Sequence, residues 1–299
     1  MKILVTGRQG QLARGLVEAA DALGIELVSV GRPVLDLVDE NAVTTLVSRE
    51  RPDVVVNAAA YTAVDRAESE WALADGINAR GAEYVAKACA AHSIPIIHIS
   101  TDYVFDGSKD SPYREDDPTG PINAYGRSKL EGEARVADAC ARHLILRTAW
   151  VHSPWGGNFV KTMLRLAAER PAVSVVGDQK GSPTYAPHLA EVVLAIASRV
   201  VADPAGTPWG IYHAVGAGAT SWFGFAREIF RSAGEHGLPA AEVTAITTAD
   251  YPTPARRPAN SRLNCDRLRQ SFGLELPDWR VGVQNCVARL SESAGKPSS

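Results

Sequence analysis

The chain has 299 residues, 45% hydrophobic and 22% charged, with a formal net charge of −3. That length suits about two domains, and the composition excludes a disordered or fibrous chain. The slightly acidic balance argues against a nucleic-acid partner, and the longest weakly polar run, Val54 to Val64, is too short for the roughly 20 apolar residues of a bilayer helix, so no membrane partner is expected.

The first half alternates strands with helices. Lys2 to Thr6 reads as a buried strand ending at Gly7, and Gln11 to Leu23 has helical apolar spacing. Glu26 to Val30 is a second strand, Asn41 to Glu50 a helix and Val54 to Asn57 a third strand. Asn78 to His92 reads as helix, Ile94 to Ser100 as strand, Tyr125 to Arg142 as a long helix and His143 to Arg147 as a fifth strand. Continuous apolar strands alternating with helices predict an α/β fold: a Rossmann-type, doubly wound parallel sheet covered on both faces. Past Trp150 the order loosens, with helices expected at His188 to Val201, Trp222 to Ala233 and Trp279 to Leu290. Residues 1–150 therefore read as a dinucleotide-binding domain to which some later segments return. Residues 151–299 read as a smaller, discontinuous substrate lobe ending in a frayed tail, Gly295 to Ser299.

The four cysteines, Cys89, Cys140, Cys265 and Cys286, lie far apart, and neither they nor the seven histidines show metal-ligand spacing. No metal is expected from these residues. The absence of an export signal and of a disulfide framework points to the cytoplasm.

Gly7-Arg8-Gln9-Gly10-Gln11-Leu12-Ala13 stands between the first strand and the first helix. Glycines there permit a tight turn and let backbone N–H groups approach a pyrophosphate, which the helix N-terminus also favours. The alternative is a strand–helix turn without a ligand. The adenosine end of a dinucleotide would meet the turn after the second strand. Arg32 stands at that turn and suits the 2′-phosphate of NADPH; its alternative is a solvated surface arginine. Asp36, a few residues on, suits the free ribose of NADH or caps the next helix.

Tyr125 and Lys129 are four apart and share a helix face. A neighbouring ammonium favours the phenolate and would bring the tyrosine pKa nearer the working pH, which suits proton donation to a reduced ketone. Ser100 and Thr101 end the fourth strand at the carboxyl edge of the sheet, where ligands bind in such folds. Hydroxyl, tyrosine and lysine together make the ketone-reducing set of short-chain dehydrogenases.

With these residues the sequence strongly resembles the dTDP-4-dehydrorhamnose reductases, extended short-chain dehydrogenases of nucleotide-sugar metabolism. The resemblance runs over nearly the whole chain. It includes Asn57 to Asp65, Ser100 to Gly107, Arg147 to Val151, Asp178 to Tyr185, Tyr251 to Pro258 and Asn260 to Leu263. It implies reduction of the carbon-4 ketone of dTDP-4-dehydro-β-L-rhamnose by NADPH or NADH. Tyr125 would give the proton, Lys129 would lower its pKa and bind the nicotinamide ribose, and Thr101 would bond the ketone oxygen. Gly10, Gln11 and Leu12 would hold the pyrophosphate, Asp36 and Leu37 flank the adenine, and Ala60, Tyr61 and Thr62 line the cofactor. Asp102, Tyr103 and Trp150 would contact the sugar. Trp150 could equally plug the core, Asp102 and Asp106 could form a turn around Gly107, and Arg256 and Arg257 could clamp a phosphate or form salt bridges across the small lobe.

Some relatives form homodimers through Mg2+ held by acids on the first and last helices. Here the first helix has Gly15, with Glu18 the nearest acid, and the last has Ala288-Arg289, which puts that link in doubt. Two rival functions share the scaffold. A nucleotide-sugar 4,6-dehydratase would have Asp and Glu after the hydroxyl residue, but Tyr103 occupies the glutamate position. A non-catalytic NADP-binding regulatory subunit would leave Tyr125 and Lys129 without a role.

Overall fold

The computed structural model describes residues 1–294, so the tail read as frayed lies outside the described residues. In the first half the alternation is as the periodicity predicts: Lys2–Thr6 (β1), Gln11–Ala22 (α1), Glu26–Val30 (β2), Glu40–Glu50 (α2), Val54–Asn57 (β3), Gly81–Ala91 (α3), Ile96–Thr101 (β4), Ala124–Ala139 (α4) and His143–Thr148 (β5). Then come Phe159–Glu169 (α5), Ala172–Val176 (β6), Ala186–Ala202 (α6), Gly210–His213 (β7), Trp222–Glu235 (α7), Glu242–Ile246 (β8), Asp266–Phe272 (α8) and Trp279–Ala294 (α9). None of the helices described is long and apolar enough to cross a membrane.

Six parallel strands form the central sheet in the order β7-β5-β4-β3-β1-β2. Both faces are buried, which is why the strands read as apolar runs rather than alternating ones. Ile3, Val5, Val54, Val56, Ile97 and Leu144 pack with α1 and α6 on one face. Leu4, Val55, Ile96 and Ile145 pack with α2, α3 and α4 on the other. Each such side chain contributes about 1.5–3 kcal/mol by leaving water. The chain winds outward in both directions from the neighbouring β1 and β3, so a crevice opens at their carboxyl ends.

Several elements go beyond the sequence reading. β7 is an edge strand of the main sheet, and its four residues, Gly-Ile-Tyr-His, are too short and mixed to show a period. β6 and β8 pair in parallel across a long separation, and α5 and α8 were not foreseen. The helix expected from Asn78 starts earlier, through a π-helical stretch, Gly76–Arg80. That stretch carries Asn78, which bonds the Tyr61 backbone N–H at 2.8 Å and its carbonyl at 3.1 Å, and donates to the Ser128 hydroxyl at 2.9 Å. Gly132 of α4 lies so close to the Asn78 carbonyl that a Cβ would overlap it, so only glycine allows this approach.

Candidate active site

The crevice is a cleft of about 590 Å³ whose floor is the glycine loop. Gly7 has φ 103°, a conformation that favours glycine, and an added Cβ would stand 3.2 Å from the Ala59 nitrogen. Gly10 is the N-cap of α1 and no side chain caps the helix, so its first N–H groups remain available to an anion. Gly7, Gly10, Gln11, Leu12, Arg32, Asp36, Leu37, Ala60 and Thr62 all line the cleft, as do Tyr125 and Lys129.

Three sequence-based readings change. Tyr61 is not among the lining residues: its hydroxyl donates to Glu70 at 2.6 Å, and Asn78 grips its backbone. Asp36 does not cap α2. It accepts from the Val38 N–H at 3.3 Å, and Asp39 is the cap, accepting from the Ala42 N–H at 3.0 Å. The Gln11 side chain is committed to the later half of the chain. It donates to the Val151 carbonyl at 3.2 Å and accepts from Ser153 at 2.8 Å and Asn158 at 2.9 Å, which leaves its backbone for a phosphate.

The third change concerns the tyrosine. Asn123 caps α4 by accepting from the Gly126 N–H at 2.7 Å, which starts the helix with Tyr125 in its first turn. Lys129 is buried, and its ammonium donates to the Ile99 carbonyl at 2.6 Å. Burial lowers its pKa to about 8, with the Glu133 carboxylate pulling the other way. The surroundings push the Tyr125 hydroxyl up to about 12: burial dominates, the Thr101 hydroxyl pulls it back and the Asp102 charge adds to it. The expected depression of Tyr125 by Lys129 is therefore not found in the chain alone, because the ammonium is engaged with the strand below.

Thr101 ends β4, buried, with its hydroxyl donating to Asp102 Oδ1 at 2.9 Å. Burial raises the Asp102 carboxyl to about 7, opposed by the nearby Ser261 and Thr101 hydroxyls. Its Oδ2 keeps no partner of its own, the Ser261 hydroxyl being bonded to the Lys180 carbonyl at 3.4 Å. Asp102 is thus no simple turn former, whereas Asp106 is one: it accepts from the Ser108 N–H at 3.0 Å. The Tyr103 ring meets Tyr125 edge-on, with centroids 6.0 Å apart.

Trp150 has φ 48° and stacks on Trp222 with centroids 3.5 Å apart. Its indole lies on Gly181, where a Cβ would overlap it. The packing reading of Trp150 holds, although the ring is only half-buried. Arg257 pairs with Asp65, Nη2 to Oδ2 at 2.8 Å, so the salt bridge expected within the small lobe runs instead to the segment after β3. Arg256 is exposed, and its carbonyl accepts from Asn123 at 2.8 Å, which ties this loop to the start of α4.

Residues 1–292 match the model of the family described as RmlD substrate binding domain. The chain belongs to that family. It is 47% identical to the dTDP-4-dehydrorhamnose reductase of Sinorhizobium fredii over 290 residues, 97% of this chain and 98% of that one. The solved dTDP-4-dehydrorhamnose reductase of Clostridium acetobutylicum superposes with a TM-score of 0.90 at 38% identity, covering 97% of this chain and 99% of that chain. The reductase of Bacillus anthracis, solved in complex with NADP, gives a TM-score of 0.90 at 35% identity, over 96% and 99%.

In this family member the cleft also holds residues that the sequence reading passed over, among them Arg8, Ala58, Ile99, Thr148, Gly156 and Gly157. Arg8 was legible, since it sits inside the glycine motif. Thr148 was legible as the hydroxyl ending β5, directly opposite Thr101 in the sheet register; its Oγ1 is buried without a partner. Gly156 and Gly157 arrive from a distant loop and left no local signal. The magnesium link that the resemblance raised gains no support from the first helix. Gly15 packs against the Ala186 carbonyl, and Glu18 is held by Arg289 through two 2.8 Å bonds. Among the described residues no three acids, histidines or cysteines converge on a metal position.

Proposed function

We propose that the chain is a dTDP-4-dehydrorhamnose reductase, which reduces the carbon-4 ketone of dTDP-4-dehydro-β-L-rhamnose to dTDP-L-rhamnose using a nicotinamide dinucleotide, NADPH in preference to NADH. What supports this reading is the Thr101 hydroxyl beside the Tyr125 hydroxyl at the carboxyl end of β4, with Tyr125 and Lys129 of α4 both lining the glycine-loop cleft. The cleft fits such a cofactor: it offers a tight glycine turn, an uncapped helix start and the unpartnered Thr148 hydroxyl.

When bound, the reduced nicotinamide supplies the hydride. The chain supplies position and a proton. Gly7, Gly10 and Leu12, with the Gln11 N–H, hold the pyrophosphate. Arg32 and Arg8 face the adenosine end, where Asp36 and Leu37 form the wall, and Ala60 and Thr62 flank the cofactor. Tyr125 gives its proton to the oxygen that gains negative charge. A phenol held near 12 is fully protonated at neutral pH and so is ready to give it. Lys129 places a positive charge beneath that oxygen and beside the nicotinamide ribose, and Thr101 orients the ketone. Asp102, Tyr103 and Trp150 meet the sugar, with the free Oδ2 of Asp102 as an acceptor for a hydroxyl. Arg256, exposed at the rim, meets the diphosphate.

The test is an assay of the purified chain with the 4-keto sugar nucleotide and NADPH, reading cofactor oxidation and dTDP-L-rhamnose. Tyr125→Phe should lose roughly 10²–10⁴ in turnover with cofactor affinity retained. Failure to oxidise NADPH with this ketone refutes the function, and near wild-type turnover of the variant refutes the role of Tyr125. Conversion of dTDP-glucose to a 4-keto-6-deoxy product would instead favour a dehydratase.

A further inference from the structure

Beneath Lys129 the sheet carries a row of polar side chains. Thr6, Asn57 and His98 are register partners across β1, β3 and β4. They continue, two residues further along, the apolar row Leu4, Val55 and Ile96 on the face that α4 covers. All three are buried, each 1% exposed. The Thr6 hydroxyl is 2.6 Å from Asn57 Oδ1, Asn57 Nδ2 is 3.0 Å from His98 Nδ1, and His98 Nε2 is 3.4 Å from Lys129 Nζ. Three polar groups in a dry sheet core are costly unless each finds a partner, and the row ends on the lysine of the proposed site.

Donor and acceptor counting restricts this row. Burial, with the charges of Lys129 on α4 and His143 at the start of β5, keeps His98 neutral, so its ring has one N–H and one lone pair. An ammonium can only donate, so the nitrogen facing Lys129 must be the lone-pair one and Nδ1 must carry the hydrogen. Asn57 must then offer its oxygen to Nδ1 and its NH₂ to Thr6. That is a half-turn of the carboxamide, which changes no shape. The unturned amide would put His98 Nε2–H against the ammonium, donor against donor, and suits only a neutral lysine. Lys129 is faced by Glu133 on its own helix and by His98 and the Ile99 carbonyl from β4. With two N–H groups taken by β4, the third is left for the cleft that Lys129 lines.

We propose that His98 is a positioning residue for Lys129: its Nε2 accepts one ammonium N–H, Asn57 fixes the ring as the Nδ1–H tautomer, and Thr6 fixes Asn57. The inference rests on the role given to Lys129 above. Loss of the acceptor leaves the ammonium less supported, so it deprotonates at lower pH and its remaining N–H is no longer aimed.

The tautomer can be read on the intact wild-type chain by nitrogen NMR with labelled histidine, the His98 signals being those lost in His98→Gln. A protonated Nδ1 and bare Nε2 are expected near neutral pH, and an Nε2–H ring would overturn the proposal. Kinetics give a second reading with two polar variants of similar bulk. His98→Gln places an amide oxygen near the Nε2 position and should keep turnover within about threefold. His98→Asn reaches Asn57 but not Lys129. It should lose about tenfold in kcat, keep KM for the sugar nucleotide within about twofold, and move the alkaline limb of the kcat profile to lower pH. Equal kcat values and unmoved limbs in the two variants would overturn the proposal. Lys129→Met is the control. If it abolishes turnover while His98→Asn behaves as wild type, the inference falls and the role of Lys129 stands; if it leaves turnover intact, that role falls and the inference with it.

Discussion

The region that carries β1, β3 and β4 is aliphatic and repetitive, whereas the region around Trp150 and α7 is aromatic and assembled from fragments. In the first, Ile3, Val5, Val54, Val56 and Ile97 stack in register across neighbouring strands, and each strand ends in a buried polar residue, Thr6, Asn57 or Thr101. In the second, Phe225 sits among Trp150, His152, Phe159, Trp222 and Trp279, with ring centroids 5.2–6.2 Å away. These partners come from widely separated segments joined by strands of two residues. The difference matters for function. On the proposed function, the end of β4 and the first turns of α4 would hold the reacting groups, while the aromatic cluster would shape the side that meets the sugar. Trp150, in a backbone conformation unusual for a residue with a side chain, is held by the Trp222 stack.

Removing the hub is the strongest way to break that division. Phe225 is 1% exposed, and Phe225→Ala should cost about 3–5 kcal/mol of stability through lost contact and the cavity left behind. At a temperature where the variant stays folded, KM for the sugar nucleotide should rise while the NADPH dissociation constant stays within about twofold of wild type. If cofactor affinity fell as far as sugar affinity, the two regions would not be separable, and the aromatic cluster would have to be counted as support for the whole cleft.

Asp102 sharpens the same contrast from the sheet side. Its carboxyl is raised from 3.8 to about 7 by burial. Between those values the unfolded chain has lost this proton and the folded chain keeps it, so this group makes stability fall as pH rises through the window. The decline is about 1.4 kcal/mol per pH unit at most. Asp102→Asn removes the titration, so the variant should gain on the wild type from pH 4 towards pH 7, by on the order of 3 kcal/mol, and hold that gain above it. Urea midpoints at several pH values measure this, and parallel profiles for the two proteins would refute it. The same variant should bind the sugar nucleotide less well, since a free carboxylate oxygen in a buried site is stability given up for recognition.

These two regions also differ in how much of them was legible in the sequence. The five strands of the first half, the glycine loop and the Tyr125–Lys129 pair stood out because each is local: a run, a turn or one helix face. β7 and the pairing of β6 with β8 were not legible, because short parallel strands carry no period and their partners lie far away in sequence. Tyr61 as a cofactor-lining residue and Asp36 as a helix cap were misread for a related reason. Spacing places a residue near a cleft, but a competing bond decides whether its side chain faces it. His98 stood out only as part of the strand Ile94 to Ser100, and the register that sets it beside Asn57 and under Lys129 reveals its partners.

Coenzyme choice is the smallest effect expected and depends on neither core. Arg32 and Arg8 are both exposed and both line the cleft, at the end where the proposal puts the adenosine. A 2′-phosphate there would gain charge-assisted bonds of about 1.5–3 kcal/mol, or roughly 10- to 100-fold in affinity. Solvent screening reduces that figure, and the carboxylate of Asp36, although it accepts from the Val38 N–H, repels the phosphate. Arg32→Ala should therefore lower kcat/KM for NADPH by about tenfold and leave NADH nearly unchanged. The double variant with Arg8→Ala should lose more, because two cations near one phosphate would share its charge. The measurement is the NADPH-to-NADH ratio of kcat/KM across wild type, the two single variants and the double variant. A ratio unmoved by Arg32→Ala but lowered by Arg8→Ala would transfer the recognition to the glycine loop. A ratio unmoved by either would show that both arginines are solvated surface groups, and that the preference for NADPH has no basis in these two side chains.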